Sequence, residues 1–146
     1  MKPCFISLPF SIPDVNHIGK AEGLAKISAA GVILEFEVQY LGGLLKPGVQ
    51  EVWIPLEEIE AIDLRKSWLK TKLEITLNSM ETLSKVPNSE KGIITLHLAR
   101  KSSENAERAI AFLHEKLTEQ KMMRGRRTDF QQLLDDDLPD TQTLNK

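Results

Sequence analysis

What the chain lacks narrows its possible roles. Cys4 is its single cysteine, so no internal disulfide can form and nothing declares an oxidising compartment; the cytoplasm is the expected location. A formal net charge of -2 gives no electrostatic case for wrapping nucleic acid, and none is expected as a partner. No run approaches the roughly 18 to 20 apolar residues that span a bilayer, and Pro9 and Pro13 interrupt the apolar start before it reaches signal-peptide length. The chain therefore reads as soluble or peripheral. Chemistry is equally sparse. There is no G-x-S-x-G, no cysteine and histidine nucleophile context and no glycine-rich phosphate loop opening a helix. His17, His97 and His114 fall in a loop, a strand and a helix without metal-ligand spacing to each other or to Cys4. Glu57, Glu58 and Glu60 read as strand-edge charges that serve solubility, not as an acid and base pair. The expectation is a protein that is not an enzyme, with no cofactor, no metal and no small-molecule substrate.

What is present is the texture of a β-rich domain. The 146 residues, 41% hydrophobic and 27% charged, suffice for one domain with tails. In Gly31 to Tyr40 the residues Val32, Leu34, Phe36, Val38 and Tyr40 alternate with Glu35, Glu37 and Gln39, the period of two of a sheet with one wet side. GLAKIS before it is the partner across the SAAG turn. VQEVWIPL follows, with Val52, Ile54 and Leu56 alternating and Pro55 placing an edge or a corner. The odd step from Ile59 to Ile62 predicts a bulge near Glu60 and Ala61. Thr71 to Asn78, a weaker run over Thr82 to Val86, and GIITLHLAR complete seven strands. Ser103 then reads as the N-cap of an amphipathic helix in which Ala106, Ala109, Ile110, Leu113 and Leu117 recur at three- and four-residue steps. These signals divide the chain into an N-terminal arm (1–22), a domain (23–120) and a flexible charged tail (121–146) with one short helix around Asp129 to Leu134.

Seven antiparallel strands closed by one C-terminal helix resemble the pleckstrin-homology superfold. The phrase WIPLEEIEAIDLR, then WLKTKLEITL, a proline turn, GIITLHLAR and the helix SENAERAIAFLHEKL are similar to bacterial pleckstrin-homology-like domains, over Gly23 to Leu117. The resemblance implies a mainly β, partly open barrel of two orthogonal sheets capped by the helix. It implies lipid or protein binding, or scaffolding, as the function. Phosphoinositide-binding members gather Lys and Arg at the first hairpin, with help from the third-to-fourth and sixth-to-seventh loops. The matching loops here are read as SAAG, PLEEIE and PNSEKG, and none carries a basic cluster.

Three stretches remain as candidate contacts. Arg65, Lys66, Lys70 and Lys72 surround Trp68, which could meet an anionic membrane surface. The reading preferred from sequence is a solvated crossover with Trp68 packed over the barrel end and flanking glutamates neutralising the patch. Leu44 and Leu45, between turn residues, either fold back on the core or contact another copy of the chain, at the same end as the basic stretch. Phe130, Leu133 and Leu134 stand at helical spacing between basic and acidic flanks, the form of a motif that orders on a partner. The function expected is a non-enzymatic interaction or scaffold module whose partner is a protein or its own copies, with the anionic membrane as the alternative.

Overall fold

The computed structural model describes residues 5–41, 44 and 48–137. Seven antiparallel strands form one sheet in the order β4-β3-β2-β1-β7-β6-β5. They are β1 (Ile6–Val15), β2 (Gly19–Ser28), β3 (Gly31–Tyr40), β4 (Val49–Pro55), β5 (Ile59–Lys66), β6 (Thr71–Leu77) and β7 (Ile93–Leu98), with a short helix α1 (Met80–Ser84) before β7 and a long helix α2 (Ser103–Asp137) after it. The sheet is not closed, since β4 and β5 are its two edges.

The count of seven strands is right, but two of the assignments behind it are not. The stretch read as an N-terminal arm contains β1, which lies in the middle of the sheet between β2 and β7. Its Leu8, Phe10 and Ile12 are buried at alternate positions, a pattern masked by Pro9 and Pro13. Pairing with β7 covers only Phe10 and Ser11. The parts of β1 that hold the prolines are therefore bound on one side only, where a missing donor is tolerated. Conversely, Thr82 to Val86 is not a strand. Ser79 accepts from the Thr82 backbone N–H at 3.2 Å and caps α1, whose Leu83 is buried together with Val86 beyond it.

The remaining strands follow their alternation. Val32, Leu34, Phe36 and Val38 of β3, Leu73, Ile75 and Leu77 of β6, and Ile94, Leu96 and Leu98 of β7 are buried. The ladder between β5 and β6 shifts register between Ile59 and Ala61, which is the expected bulge. Pro55 ends β4 at an edge, and a 3-10 turn over Leu56–Glu58 makes the corner into β5. Gly23 lets β2 and β3 approach closely, because a Cβ there would stand 1.8 Å from the Glu35 carbonyl oxygen.

Inner residues of both meanders fall into one core cluster with Ala106, Ala109, Leu113 and Leu117 of α2. Two alanines at the start of the stripe let the helix lie close to the sheet, and Leu113 is fully buried. Ser103 is not the N-cap expected: it already has helical dihedrals after the 3-10 turn Arg100–Ser102, and its Oγ lies 3.1 Å from Thr71 Oγ1. The helix also does not stop near Gln120 but runs on to Asp137, 35 residues in all, where sequence suggested a tail. At Leu113 a carboxylate would be held without a partner in an aliphatic core. Leu113→Asp should cost about 3 to 5 kcal/mol, measured by urea denaturation; an unchanged midpoint would show that α2 is not essential to the core.

Candidate functional site

The hairpin joining β5 to β6 turns in four residues. Ser67 N–H donates to the Lys70 carbonyl at 2.8 Å, and Lys70 N–H donates back to Ser67 Oγ at 3.0 Å. Ser67 Oγ in turn donates to the Lys70 carbonyl at 3.0 Å. A turn clasped from both sides leaves only Trp68 and Leu69 at its tip. Both project into solvent, Trp68 at 77% and Leu69 at 65% exposure. The expectation that Trp68 packs over the end of the barrel is therefore overturned, for a tip this tight cannot fold its own residues back onto the sheet.

Cations surround the tip, and the structure divides them into two sets. Arg65 is bonded to Glu74 at 2.8 Å, and Lys66 reaches across to Glu107 of α2. Among the described residues, Lys70 and Lys72 have no such carboxylate. The pairing of Thr71 with Leu98 carries the end of β7 to the same place, so that Arg100 and Lys101, exposed in the turn into α2, join the collar. Neither those two nor Leu69 was singled out from sequence. Leu69 could have been, as the second residue of a tip between Ser67 and Lys70; Arg100 and Lys101 could not, because only strand pairing brings them there.

The collar leaves an electrostatic mark. Burial, then the charges of Lys72 and Lys70, hold the His97 imidazole below its usual 6.5, and Lys72 is the direct cross-strand partner of His97. A depressed pKa means that the folded state resists protonation. This contribution to stability is present above the unfolded imidazole range, about 6.5, and is lost as pH falls toward the folded value.

The other candidates lie elsewhere. Leu44 is 84% exposed and does not fold back on the core; Leu45 lies outside the described residues. Ladder pairings place Tyr40, four residues before Leu44, at the end of the sheet that holds Gly19 and Val15, whereas the Trp68 hairpin adjoins Leu98 and Phe10. The two loops are thus at opposite ends of the sheet, not the same end. Leu133 is exposed on the distal part of α2, and Phe130 and Leu134 fall on the same helix with side chains outside the described set. With β1 in place, SAAG joins β2 to β3, PLEEIE joins β4 to β5 and PNSEKG joins α1 to β7, so the loop assignments made from sequence shift. The actual first turn, Asn16 to Ile18, holds His17 and no lysine or arginine. Asp14, Asn16 and His17 there have left-handed backbones, and Asn88 Nδ2 donates to the Pro13 and Asp14 carbonyls at 2.9 and 3.1 Å, which fixes that turn.

Among the described residues, no group of three or more His, Cys, Asp or Glu could hold a metal ion, and no helix is long and apolar enough to cross a membrane. Comparison with protein-family models, with curated proteins and with solved structures finds no match.

Exposed as it is, Trp68 contributes little to the fold. Trp68→Ala should leave the melting temperature within a few degrees, where removal of a packed indole would cost roughly 3 to 5 kcal/mol. Lys72→Gln should raise the pKa of His97 toward its ordinary value, read by an NMR titration of the imidazole, and so reduce the stability lost through this group as pH falls.

Proposed function

We propose that the protein is a non-enzymatic binding module that docks on an anionic membrane surface through the Trp68–Leu69 hairpin. The observation that carries this reading is the pair of large apolar side chains held at a clasped tip within a ring of cations, of which Lys70, Lys72, Arg100 and Lys101 have no carboxylate among the described residues while Arg65 and Lys66 do. An indole suits the headgroup level of a bilayer, and lysines suit its anionic face.

Magnitudes separate a membrane from a protein as the occupant of this tip. Burying Trp68 and Leu69 would contribute about 3 to 6 kcal/mol, and Lys70, Lys72, Arg100 and Lys101 about 1 kcal/mol each near an anionic surface. That is enough for reversible attachment. A stable protein interface needs about 800 Å² from each partner, whereas two side chains on a narrow tip supply roughly half of that at most. The acidic balance of the whole chain does not cancel the effect, since screening over about 8 Å at physiological salt limits it to near neighbours.

A pleckstrin-homology-like architecture is the finer reading of the fold. It is supported by four strands in one meander and three in the other, by a seam of two paired residues between β1 and β7, and by a helix that packs against both β5 and β1. A seam so short suits two sheets set at a large angle to one another and a barrel left partly open. The protein-interaction reading of the sequence rests on other stretches, Leu44 with Leu45 and the segment of Phe130, Leu133 and Leu134.

Co-sedimentation with vesicles of phosphatidylcholine, with and without phosphatidylserine, tests the proposal. Binding is expected only with the anionic lipid, weakening steeply with salt, and lost in Trp68→Ala with Leu69→Ser and in Lys70→Gln with Lys72→Gln. Binding that survives both double changes, or no binding at low salt, would remove the hairpin as a membrane site.

A further inference from the structure

The two edges of the sheet are treated differently. Along β5, α2 supplies cover: His114 Nε2 lies 2.7 Å from the Ile62 carbonyl oxygen, and Arg124 donates to the Glu57 carbonyl at 3.1 Å just before that strand. The short helix α1 touches β4, but among the described residues no helix side chain bonds a backbone carbonyl of that strand as His114 and Arg124 do beside β5. Leu56 N–H donates to the Ala30 carbonyl at 2.9 Å, and Pro55, opposite Gly31, has no N–H to give. Alternation along an antiparallel ladder then assigns the bonds with β3 to Ile54, Val52 and Gln50, and turns the N–H and C=O groups of Val49, Glu51 and Trp53 away from the sheet.

The side chains of those same three residues share the outer face. Val49 is 73% exposed and Trp53 45%, with Glu51 between them. Behind Glu51 stands its cross-strand partner Glu35, and behind Val49 stands Glu37. Glu35 is bonded to Lys26 at 2.8 Å, but Glu37 and Glu51 have no cation among the described residues. Like charges set directly across a ladder oppose its stability, and a cation brought between them would relieve that.

We propose, independently of the hairpin, that the β4 edge is a strand-addition site for an extended segment of a partner protein in which lysine or arginine is flanked at two-residue spacing by apolar side chains. Backbone bonds to Val49, Glu51 and Trp53 would provide the register. Apolar side chains would cover Val49 and Trp53, and the central cation would meet Glu51 and its neighbours. A second copy of the chain fits less well. A β4 strand paired with its own copy brings two acidic faces together and supplies no cation.

The test uses the full chain and a labelled peptide in which valine, lysine and valine alternate with threonine, read by fluorescence anisotropy, against a counterpart with glutamate for lysine. The lysine peptide should bind at least about tenfold more tightly. Glu51→Pro removes an outward donor without touching the ladder to β3, and edge strands accept proline at such positions; it should abolish binding while the melting temperature holds. Should that variant misfold, Glu37→Gln with Glu51→Gln carries the test, and is expected to weaken the lysine peptide several-fold and to flatten its salt dependence. The proposal is overturned if neither peptide binds, if both bind equally, or if binding is indifferent to these substitutions. It is equally overturned if sedimentation shows a wild-type dimer that Glu51→Pro dissolves, since the edge would then belong to a second copy.

Discussion

An open sheet with one apolar face cannot stand in water without a cover, and α2 is that cover. Its stripe of Ala106, Ala109, Leu113 and Leu117 joins a core to which every strand contributes. At about 25 cal/mol per Å² of apolar area removed from water, such a stripe contributes on the scale of a whole domain's net stability. The seam between β1 and β7 holds only two residue pairs, too few ladder bonds to fix two meanders by themselves. Packing of α2 against both β5 and β1 ties the two halves across that seam. The helix is thus structural first, and its polar residues are then available for a second task.

That second task is edge protection. Because α2 lies along β5, His114 can satisfy an outward carbonyl of that strand, and Arg124 does the same for Glu57 at the preceding turn. A single helix cannot serve both edges of a seven-stranded sheet. β4 is left to manage with its short length, its closing Pro55 and the charge of Glu51, the ordinary devices by which an edge discourages indiscriminate pairing. Such devices select among partners and do not bar all of them, for a carboxylate repels an acidic strand and attracts a basic one.

How much of this was legible follows from where local pattern and tertiary context agree. β3, β6 and β7 could be read residue by residue, since each buries one face and wets the other, and the bulge at Glu60 and Ala61 showed as a lost step in the period. β1 carried the same alternation in Leu8, Phe10 and Ile12, but proline is permitted there only because β7 pairs with two residues of it, and that is not visible in the sequence. Thr82 to Val86 has β-branched residues, yet the Ser79 cap and the need to turn toward β7 make it helix. Distal α2 lacks apolar periodicity and continues as helix nonetheless. At the candidate site, Arg65, Lys66, Lys70 and Lys72 were found from sequence, while Arg100, Lys101 and the outward position of Trp68 were not. A general tendency of indoles to be buried pointed inward, and the Ser67–Lys70 clasp, formed by one hydroxyl and three backbone groups, points it outward.

The net charge of -2 conceals a segregation that matters more than its sum. Lys70, Lys72, Arg100 and Lys101, none with a described carboxylate, stand together at the β5–β6 hairpin and the entry to α2, while Glu37 and Glu51 stand together on the outer face by β4. With screening over about 8 Å, each group answers to its own surroundings and not to the total. An anionic surface would draw the hairpin and would repel Glu37 and Glu51 wherever they came within a screening length of it. The two proposed contacts thus call for partners of opposite charge, and a partner chemistry that suits one does not suit the other.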